Sequence, residues 1–226
     1  MGRRAKVGIG VVGAVVVLAG AAAVWGPGLY ANWANSNAEA APAIDTATAT
    51  PLADPSGLDG RWTAQNGSYA GYRVDEVLRG NHATVTGRTE KVQADVTIAG
   101  SAVTAGTVTV DMASIATDQP PRDAYFRSSA LRTGDFPTAT FQLTAPTALP
   151  AGATTVDLAG HLTIHGVTQQ VTVHAEVAQT GADALQVVGS VPLTFADYGV
   201  VAPSLGFVTV EKSGAVEFSL HLAPEG

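Results

Sequence analysis

The sequence predicts an all-β domain, an antiparallel barrel or sandwich with one short helix, preceded by an N-terminal transmembrane helix and a flexible linker. Three observations predict this organisation. From Asp59 onward, short runs of alternating apolar and polar residues recur between Gly, Pro, Asp and Asn turn signals. Residues 7–25 carry no charge, and residues 34–58 are rich in Ala, Thr, Pro, Ser and Asn.

Composition narrows the class of protein. Of the 226 residues, 46% are apolar and 14% are charged, so the chain can bury one substantial core and is not disordered as a whole. Three of the 12 basic residues fall within the first six positions, which leaves nine basic against 19 acidic residues, a net charge of −10, in the remainder. That sign is wrong for a nucleic-acid surface. Cysteine is absent, which excludes disulfides, thiolate metal sites and a cysteine nucleophile.

The N-terminus has the pattern of a single-pass membrane protein. Residues 1–6 are predicted to be a cytoplasmic basic segment. Residues 7–30 are predicted to be a transmembrane helix or signal anchor, since the uncharged run Val7–Trp25 approaches the ~20 residues that cross a bilayer. Tyr30 and Trp33 are predicted to contribute to an interfacial aromatic belt. The sequence therefore predicts a cell-membrane protein whose C-terminal domain is extracytoplasmic.

A cleavable signal peptide is the alternative for this segment. Ala38-Glu39-Ala40 has the form of a cleavage site, and cleavage would release a secreted protein. The apolar run exceeds the roughly 7–15 residues of a signal-peptide core, which favours the retained anchor. Residues 31–58 lack an alternating apolar pattern and are predicted to be the flexible linker.

The predicted strands each have one apolar face and one polar face in water. The clearest are Val171–Val177 and Val216–Leu222, and the others are Tyr69–Val77, Val92–Ala99, Val108–Met112, Ala139–Thr144, Thr154–Leu158, Leu162–Ile164 and Leu185–Phe195. Their number favours closure into a barrel or a sandwich. Thr117–Gly134 breaks the pattern and is predicted to be a short helix, capped by Thr117 or Asp118 and ending at Gly134.

Three stretches of this domain resemble the YceI-like family. Its first signature is similar to Arg122-Asp123, Leu131 and the run from Asp135-Phe136-Pro137 to Phe141. Its second signature is matched more specifically, by Gly160-His161-Leu162-Thr163-Ile164-His165-Gly166-Val167-Thr168. Asp197-Tyr198-Gly199, preceded by Phe195, resembles the aromatic-glycine turn that follows in the family. The resemblance covers roughly residues 59–223.

The resemblance implies an extended lipocalin-like antiparallel β-barrel over residues 59–226. It implies that the lumen holds an isoprenoid lipid or quinone, for storage or transport, without catalysis and without a cofactor or metal. The expected partners are this lipid and the membrane, which the protein contacts through the N-terminal helix. The sequence is compatible with either a monomer or a homodimer. Tyr125 stands where the family usually has a histidine, so no role of that histidine is carried over.

The predicted lumen residues lie on the apolar faces of the strands and on the helix. They are Val108, Val110, Met112, Phe126, Phe141, Leu162, Ile164, Val171, Val173, Val187, Phe218 and Leu220. Small inward residues and an aromatic content of 6% favour a ligand cavity. The alternative is a self-filled barrel that serves as a stress or protein-interaction domain.

Two pairs of polar residues have the residue types of metal-binding or acid–base groups. His161 and His165 have the spacing of a helical zinc pair, but on a strand they are about 13 Å apart, so no metal site is predicted. His165 is instead expected to brace a turn before Gly166. Arg122 and Asp123 have two interpretations. They form an acid–base or anion-binding pair, or they have a structural role near a helix N-terminus, where an aspartate interacts favourably with the helix dipole. The second interpretation is favoured.

Overall fold

The computed structural model describes residues 26–204 and 208–225. Within them, alternation of apolar and polar residues produces eleven β-strands in one antiparallel sheet. The strands are β1 (Gly60–Ala64), β2 (Tyr69–Leu78), β3 (Asn81–Thr89), β4 (Val92–Ile98), β5 (Ala102–Asp111), β6 (Thr138–Leu143), β7 (Thr147–Ala148), β8 (Thr155–Ile164), β9 (Val167–Gly181), β10 (Ala184–Thr194) and β11 (Val208–Pro224).

The sheet closes into a barrel because β1 pairs with β4 on one side and with β11 on the other. The closed ring contains eight strands in the order β1, β4, β5, β6, β8, β9, β10 and β11. The long strand β11 also pairs with β2, so the β2–β3 hairpin extends the wall at one end of the ring. The predicted all-β antiparallel barrel with a short helix is confirmed.

Alternation also sets which residues face inward. On β9, Val173, Ala175 and Val177 are buried, whereas the polar residues that precede each of them are exposed. On β11 the polar face differs from the prediction, because Glu217 and Ser219 are buried as well. The chain before β1 covers this face of the barrel.

The segment predicted as a flexible linker, residues 31–58, lies against the barrel instead. Its first part, up to residue 37, belongs to a helix, α1, of which residues 26–37 are described. Beyond α1, the Glu39 amide donates to the Thr86 hydroxyl at 2.9 Å and the Asp45 amide donates to Gln186 Oε1 at 2.9 Å. Thr50 pairs with Gln179 at the end of β9. We call residues 38–58 the strap. A local sequence pattern could not predict it, because its partners are polar side chains far away in the chain.

The strap ends by sealing one end of the barrel. Leu52 is fully buried, its amide donates to the Ala153 carbonyl at 3.2 Å, and its carbonyl accepts from the Gly152 amide at 2.7 Å. Trp62 closes the same end, with its indole N–H donating to the Leu58 carbonyl at 2.8 Å. Burying a leucine contributes about 1.5–3 kcal/mol, so this apolar plug stabilises the strap against the barrel.

The predicted helix Thr117–Gly134 is shorter in the structure. Helix α2 spans Pro120–Tyr125, with prolines in its first turn, and a single π-helical turn, Phe126–Ala130, follows it. Neither Thr117 nor Asp118 caps it, since Gln119 is the N-cap residue. The chain leaves the helical turn at Leu131 rather than Gly134, because Leu131 is buried in the barrel core.

The predicted membrane segment, residues 7–30, lies outside the described residues except for residues 26–30, as does the predicted basic segment 1–6. Residues 26–30 are helical and belong to α1. Ala31 and Ala34 of α1 pack on Leu78 and Ala83 of the β2–β3 hairpin. Of the helices formed by the described residues, none has the length and apolar character needed to cross a membrane.

Candidate functional site

The barrel encloses a cavity of about 560 Å³. At the strap end it is lined by Leu52, Leu149 and Leu185, which are all buried. At the other end its lining includes Tyr125 and Val201, whose exposed fractions are 39% and 79%. The cavity is therefore sealed at the strap end and opens between α2 and residues 200–203, a region we call the mouth.

Eleven of the twelve predicted lumen residues line this cavity. They are Val108, Val110, Met112, Phe126, Phe141, Leu162, Ile164, Val173, Val187, Phe218 and Leu220. Their part in binding a ligand stays a prediction.

Val171 is the exception, although it packs against the same core. It pairs with Gly160, and the Phe141 ring lies so close to Gly160 that a Cβ there would collide with it. The lumen at this level is occupied by Phe141, which separates Val171 from the free space.

Further lining residues were missed by the sequence prediction. Val96, Val103 and Leu158 belong to alternating strands, and the same alternation could have identified them. Tyr72 could also have been identified, since it and Val74 alternate with Arg73 and Asp75 in a predicted strand, whereas Leu52 could not. Leu52 lies in the strap, and Tyr72 lines the lumen where its ring stacks on Phe126, with the ring centroids 5.2 Å apart.

Among the described residues that line the cavity, the charged side chains all lie at the mouth. Arg122 of α2 donates from Nη1 to Asp118 Oδ1 and from Nη2 to the Tyr30 hydroxyl, both at 2.7 Å. Arg122 Nη2 lies 3.7 Å from Glu76 Oε1 of β2. We call Tyr30, Glu76, Asp118 and Arg122 the mouth cluster. It joins α1, α2 and the wall of the barrel at one point.

Burial shifts the proton affinities of this cluster. Burial raises the pKa of Glu76, and Arg122 offsets only part of that effect. Burial also raises the pKa of the Tyr30 hydroxyl. Burial by itself would lower the pKa of Arg122, but Tyr30 and the neighbouring carboxylates outweigh it and the pKa lies above its usual value. Arg122 is thus a fixed cation beside a carboxyl group that ionises reluctantly.

Arg122 and Asp123 do not contact each other as a pair, although both contact the Thr117 hydroxyl, Arg122 Nη1 at 3.5 Å. The Asp123 carboxylate accepts hydrogen bonds from the Thr117 amide at 2.9 Å and from the Thr117 hydroxyl at 2.8 Å. It is buried and fixes the chain that enters α2, while Arg122 points to the mouth cluster. For Asp123 the structural interpretation is the one that the contacts support.

His165 braces a turn, as the sequence predicts. His165 and Gly166 have φ values of 52° and 76° and connect β8 to β9 in a two-residue hairpin turn. His165 Nδ1 lies 3.2 Å from the Tyr198 carbonyl oxygen, and Phe136 packs edge-on against the imidazole. His161 is exposed. No group of three or more His, Cys, Asp or Glu residues in the described part of the chain is arranged to hold a metal ion.

Comparison with solved structures shows the same fold. The polyisoprenoid-binding domain from Saccharophagus degradans superposes with a TM-score of 0.59 at 17% identity, covering 74% of this chain and 99% of that domain. The BcnA protein of Burkholderia cenocepacia has a TM-score of 0.54 at 23% identity, with 67% of this chain and 96% of BcnA covered.

Sequence relatives match a shorter region. A UPF0312 protein of Vibrio vulnificus is 32% identical over 121 residues, which cover 51% of this chain and 59% of that protein. A UPF0312 protein of Pseudomonas paraeruginosa is 34% identical over 99 residues, covering 41% of this chain and 50% of that protein. The chain therefore spans between half and three fifths of the length of these relatives. The YceI-like domain matches residues 62–222, from the first barrel strand to the last, and the chain accordingly belongs to the YceI-like family.

Proposed function

We propose that the barrel binds an apolar isoprenoid lipid or an isoprenoid quinone in its lumen, for storage or transport. The observation that carries this proposal is the sealed, apolar cavity with one mouth. Its volume lies within the ~300–1,000 Å³ of ligand sites. An isoprenoid chain needs no polar partner along its length, and burial stabilises it by about 0.8 kcal/mol per methylene-sized group.

The proposal is of a binding protein rather than an enzyme. Within the described lining, Glu76 and Arg122 are the only charged residues, so the lumen offers surface for a chain rather than a set of catalytic groups. The Saccharophagus degradans domain with the same fold is described as polyisoprenoid-binding, which supports the ligand class. A self-filled barrel, the alternative from the sequence, would lack the cavity.

The proposal places the domain at the extracytoplasmic face of the cell membrane, tethered by residues 7–30. The basic residues within positions 1–6 and the uncharged run to Trp25 support this orientation. The large apolar side chains exposed among the described residues also support it. Leu29 and Trp33 lie on α1, and Tyr125 and Val201 line the mouth. An apolar rim around the mouth suits a lipid that enters from a bilayer.

The first test fills the cavity. Ala139 lines the lumen, so Ala139→Phe would occupy its free space, whereas Thr138→Phe adds the same ring at an exposed neighbouring position. The full chain is purified from a bacterial membrane, and its lipids are identified by native mass spectrometry and organic extraction. We expect wild type and Thr138→Phe to retain an isoprenoid. The amount of isoprenoid bound to Ala139→Phe should be at least about tenfold lower. Equal, lipid-free spectra for all three proteins would contradict the proposal, and the same spectra distinguish a monomer from a homodimer.

The second test addresses location. The chain has no cysteine, so Thr172→Cys on the exposed face of β9 provides one labelling site. A membrane-impermeant maleimide should label this variant in intact cells. Labelling that occurs only after lysis would place the barrel in the cytoplasm and contradict the proposed orientation.

A further inference from the structure

The mouth cluster differs chemically from the lumen behind it. The lumen is apolar, and the cluster provides the charged groups where the lining reaches the surface beside Pro121 and Tyr125. A lipid that enters tail first leaves its head group at this point. The cluster is therefore the part of the site that contacts the one polar end of an isoprenoid.

Glu76 has hydrogen-bonding capacity that the protein does not use. Its side chain is 8% exposed, and its nearest charged partner, Arg122 Nη2, lies 3.7 Å away, beyond hydrogen-bond distance. Arg122 directs Nη1 to Asp118 and Nη2 to Tyr30 rather than donating a hydrogen bond to Glu76. Among the described residues no N–H or O–H donates a hydrogen bond to Glu76, and its carboxylate oxygens are not among the fully buried atoms without a partner, so they are accessible to a donor in the cavity that Glu76 lines.

The charge of the cluster limits which head group can meet this need. Asp118 and Glu76 together outweigh the single positive charge of Arg122 whenever both carboxyl groups are ionised. A phosphate monoester brings about −1.5 to −2 further charges, and its dianion, which dominates above pH 7, has no O–H to donate. A hydroxyl group brings no charge and can donate to the Glu76 carboxylate.

We infer that Glu76 selects isoprenoids that end in a hydroxyl group, such as a polyprenol or a quinol, over prenyl phosphates with the same chain. This inference rests on the proposed function and adds to it the chemistry of the head group and the residue that recognises it. Glu76 acts as a specificity-determining residue at the mouth, while the lumen binds the chain common to both classes.

The test is a competition between two probes on the full chain. Farnesol and farnesyl phosphate, at equal concentrations and about pH 7.5, where the phosphate is largely dianionic, are added to the protein in detergent micelles. Native mass spectrometry counts the two complexes. Because the probes also differ in hydrophobicity, the decisive quantity is the change in their ratio between proteins rather than the ratio itself.

Wild type and Glu176→Gln, which carries the same substitution at an exposed position of β9, should give the same ratio. In Glu76→Gln the farnesol-to-phosphate ratio should fall about tenfold, because the repulsion of the phosphate is removed. Glu76→Met should give a fall in the same direction, which covers the case in which the glutamine variant folds poorly. An unchanged ratio in the folded variants, with both probes bound, overturns the inference and leaves the proposed function standing. Failure of farnesol to bind wild type overturns the proposed function, and the inference with it.

Discussion

Two glutamates are buried on opposite sides of the same barrel wall, and their surroundings differ. Counted as whole residues, Glu217 of β11 is 3% exposed and Glu76 of β2 is 6% exposed. Glu217 lies on the outer face under the strap, and Glu76 lies at the mouth. Arg73 donates from Nε to Glu217 Oε1 at 2.6 Å and from Nη2 to Oε2 at 3.2 Å, and Arg88 lies 3.8 Å away. Glu76 has one arginine at 3.7 Å and no such hydrogen bond among the described residues.

The difference in arginine partners distinguishes Glu217, whose charge has a structural role, from Glu76, whose charge is available to a ligand. The arginines at Glu217 also bind the strap, since Arg73 Nη2 donates to the Glu39 carbonyl at 2.6 Å and Arg88 donates to the Ala40 carbonyl. The Glu217 carboxylate is satisfied from within the chain, although the Arg88 Nε–H beside it is buried without a hydrogen-bond partner among the described residues. The Glu76 carboxylate receives no hydrogen bond from the described residues, and it lines the cavity at the mouth. Burial of a carboxylate therefore does not by itself identify a functional residue, and the proposal for Glu76 depends on its lack of a hydrogen-bond donor as well.

The largest expected effect is at Glu217. Glu217→Gln keeps the shape but removes the charge that the two arginines share, and we expect a loss of about 2–3 kcal/mol in the free energy of unfolding. This loss in unfolding free energy is smaller than the loss expected for a fully buried ion pair, because the Arg73 and Arg88 side chains are 26% and 22% exposed. Urea unfolding of the full chain measures it.

Glu176→Gln serves as the control, because Glu176 is exposed, and it should change stability by less than about 0.5 kcal/mol. Under conditions where Glu217→Gln is folded, its farnesol binding should stay within about twofold of wild type. Normal stability combined with lost binding in Glu217→Gln would reverse the roles that the comparison assigns to the two glutamates.

The sequence was sufficient to predict the barrel wall and most of the lumen, since period-two alternation determines which face of a strand is buried. Phe141 and Phe218 could be assigned to the lumen for this reason. Alternation could not predict the strap, because its polar residues contact distant polar side chains such as Gln186. For Glu76, alternation with Arg73 and Asp75 places the acid on the inward face beside Tyr72 and Val74, but the sequence could not show that Arg122 approaches it from α2.

A smaller effect is expected where α1 joins the mouth cluster. Tyr30→Phe removes the hydroxyl that accepts a hydrogen bond from Arg122 Nη2 at 2.7 Å, and we expect a loss of about 1 kcal/mol. The loss should be local, so hydrogen exchange of residues 26–37 should accelerate by about fivefold. This result would show that the mouth cluster also holds α1 on the barrel.

Tyr125→Phe is the matched control for this substitution. Tyr125 is 39% exposed at the same mouth, and exchange in α1 should be unaffected by the loss of its hydroxyl. Equal acceleration in both variants would mean that the hydrogen bond from Arg122 to Tyr30 does not hold α1.

The smallest expected effect is a pH dependence that belongs to Glu76 alone. Burial raises the pKa of Glu76 above its value in the unfolded chain, in a site that also contains Arg122, Asp118 and Tyr30. The folded protein therefore binds this proton more tightly than the unfolded chain does. The resulting stabilisation is complete below the unfolded pKa and is lost as pH rises through the folded pKa.

Glu76→Gln cannot ionise, so the difference in unfolding free energy between the two ligand-free proteins isolates this contribution. From about pH 4 to about pH 8, wild type should become progressively less stable relative to Glu76→Gln. Urea titrations at each pH measure the difference, with an unchanged dependence on urea as the check that both proteins unfold in the same way. A wild type that gains stability relative to the variant with rising pH would mean that Arg122 fully compensates the carboxylate. Glu76 would then resemble Glu217, and the distinction between a satisfied charge and one that awaits a ligand would be lost.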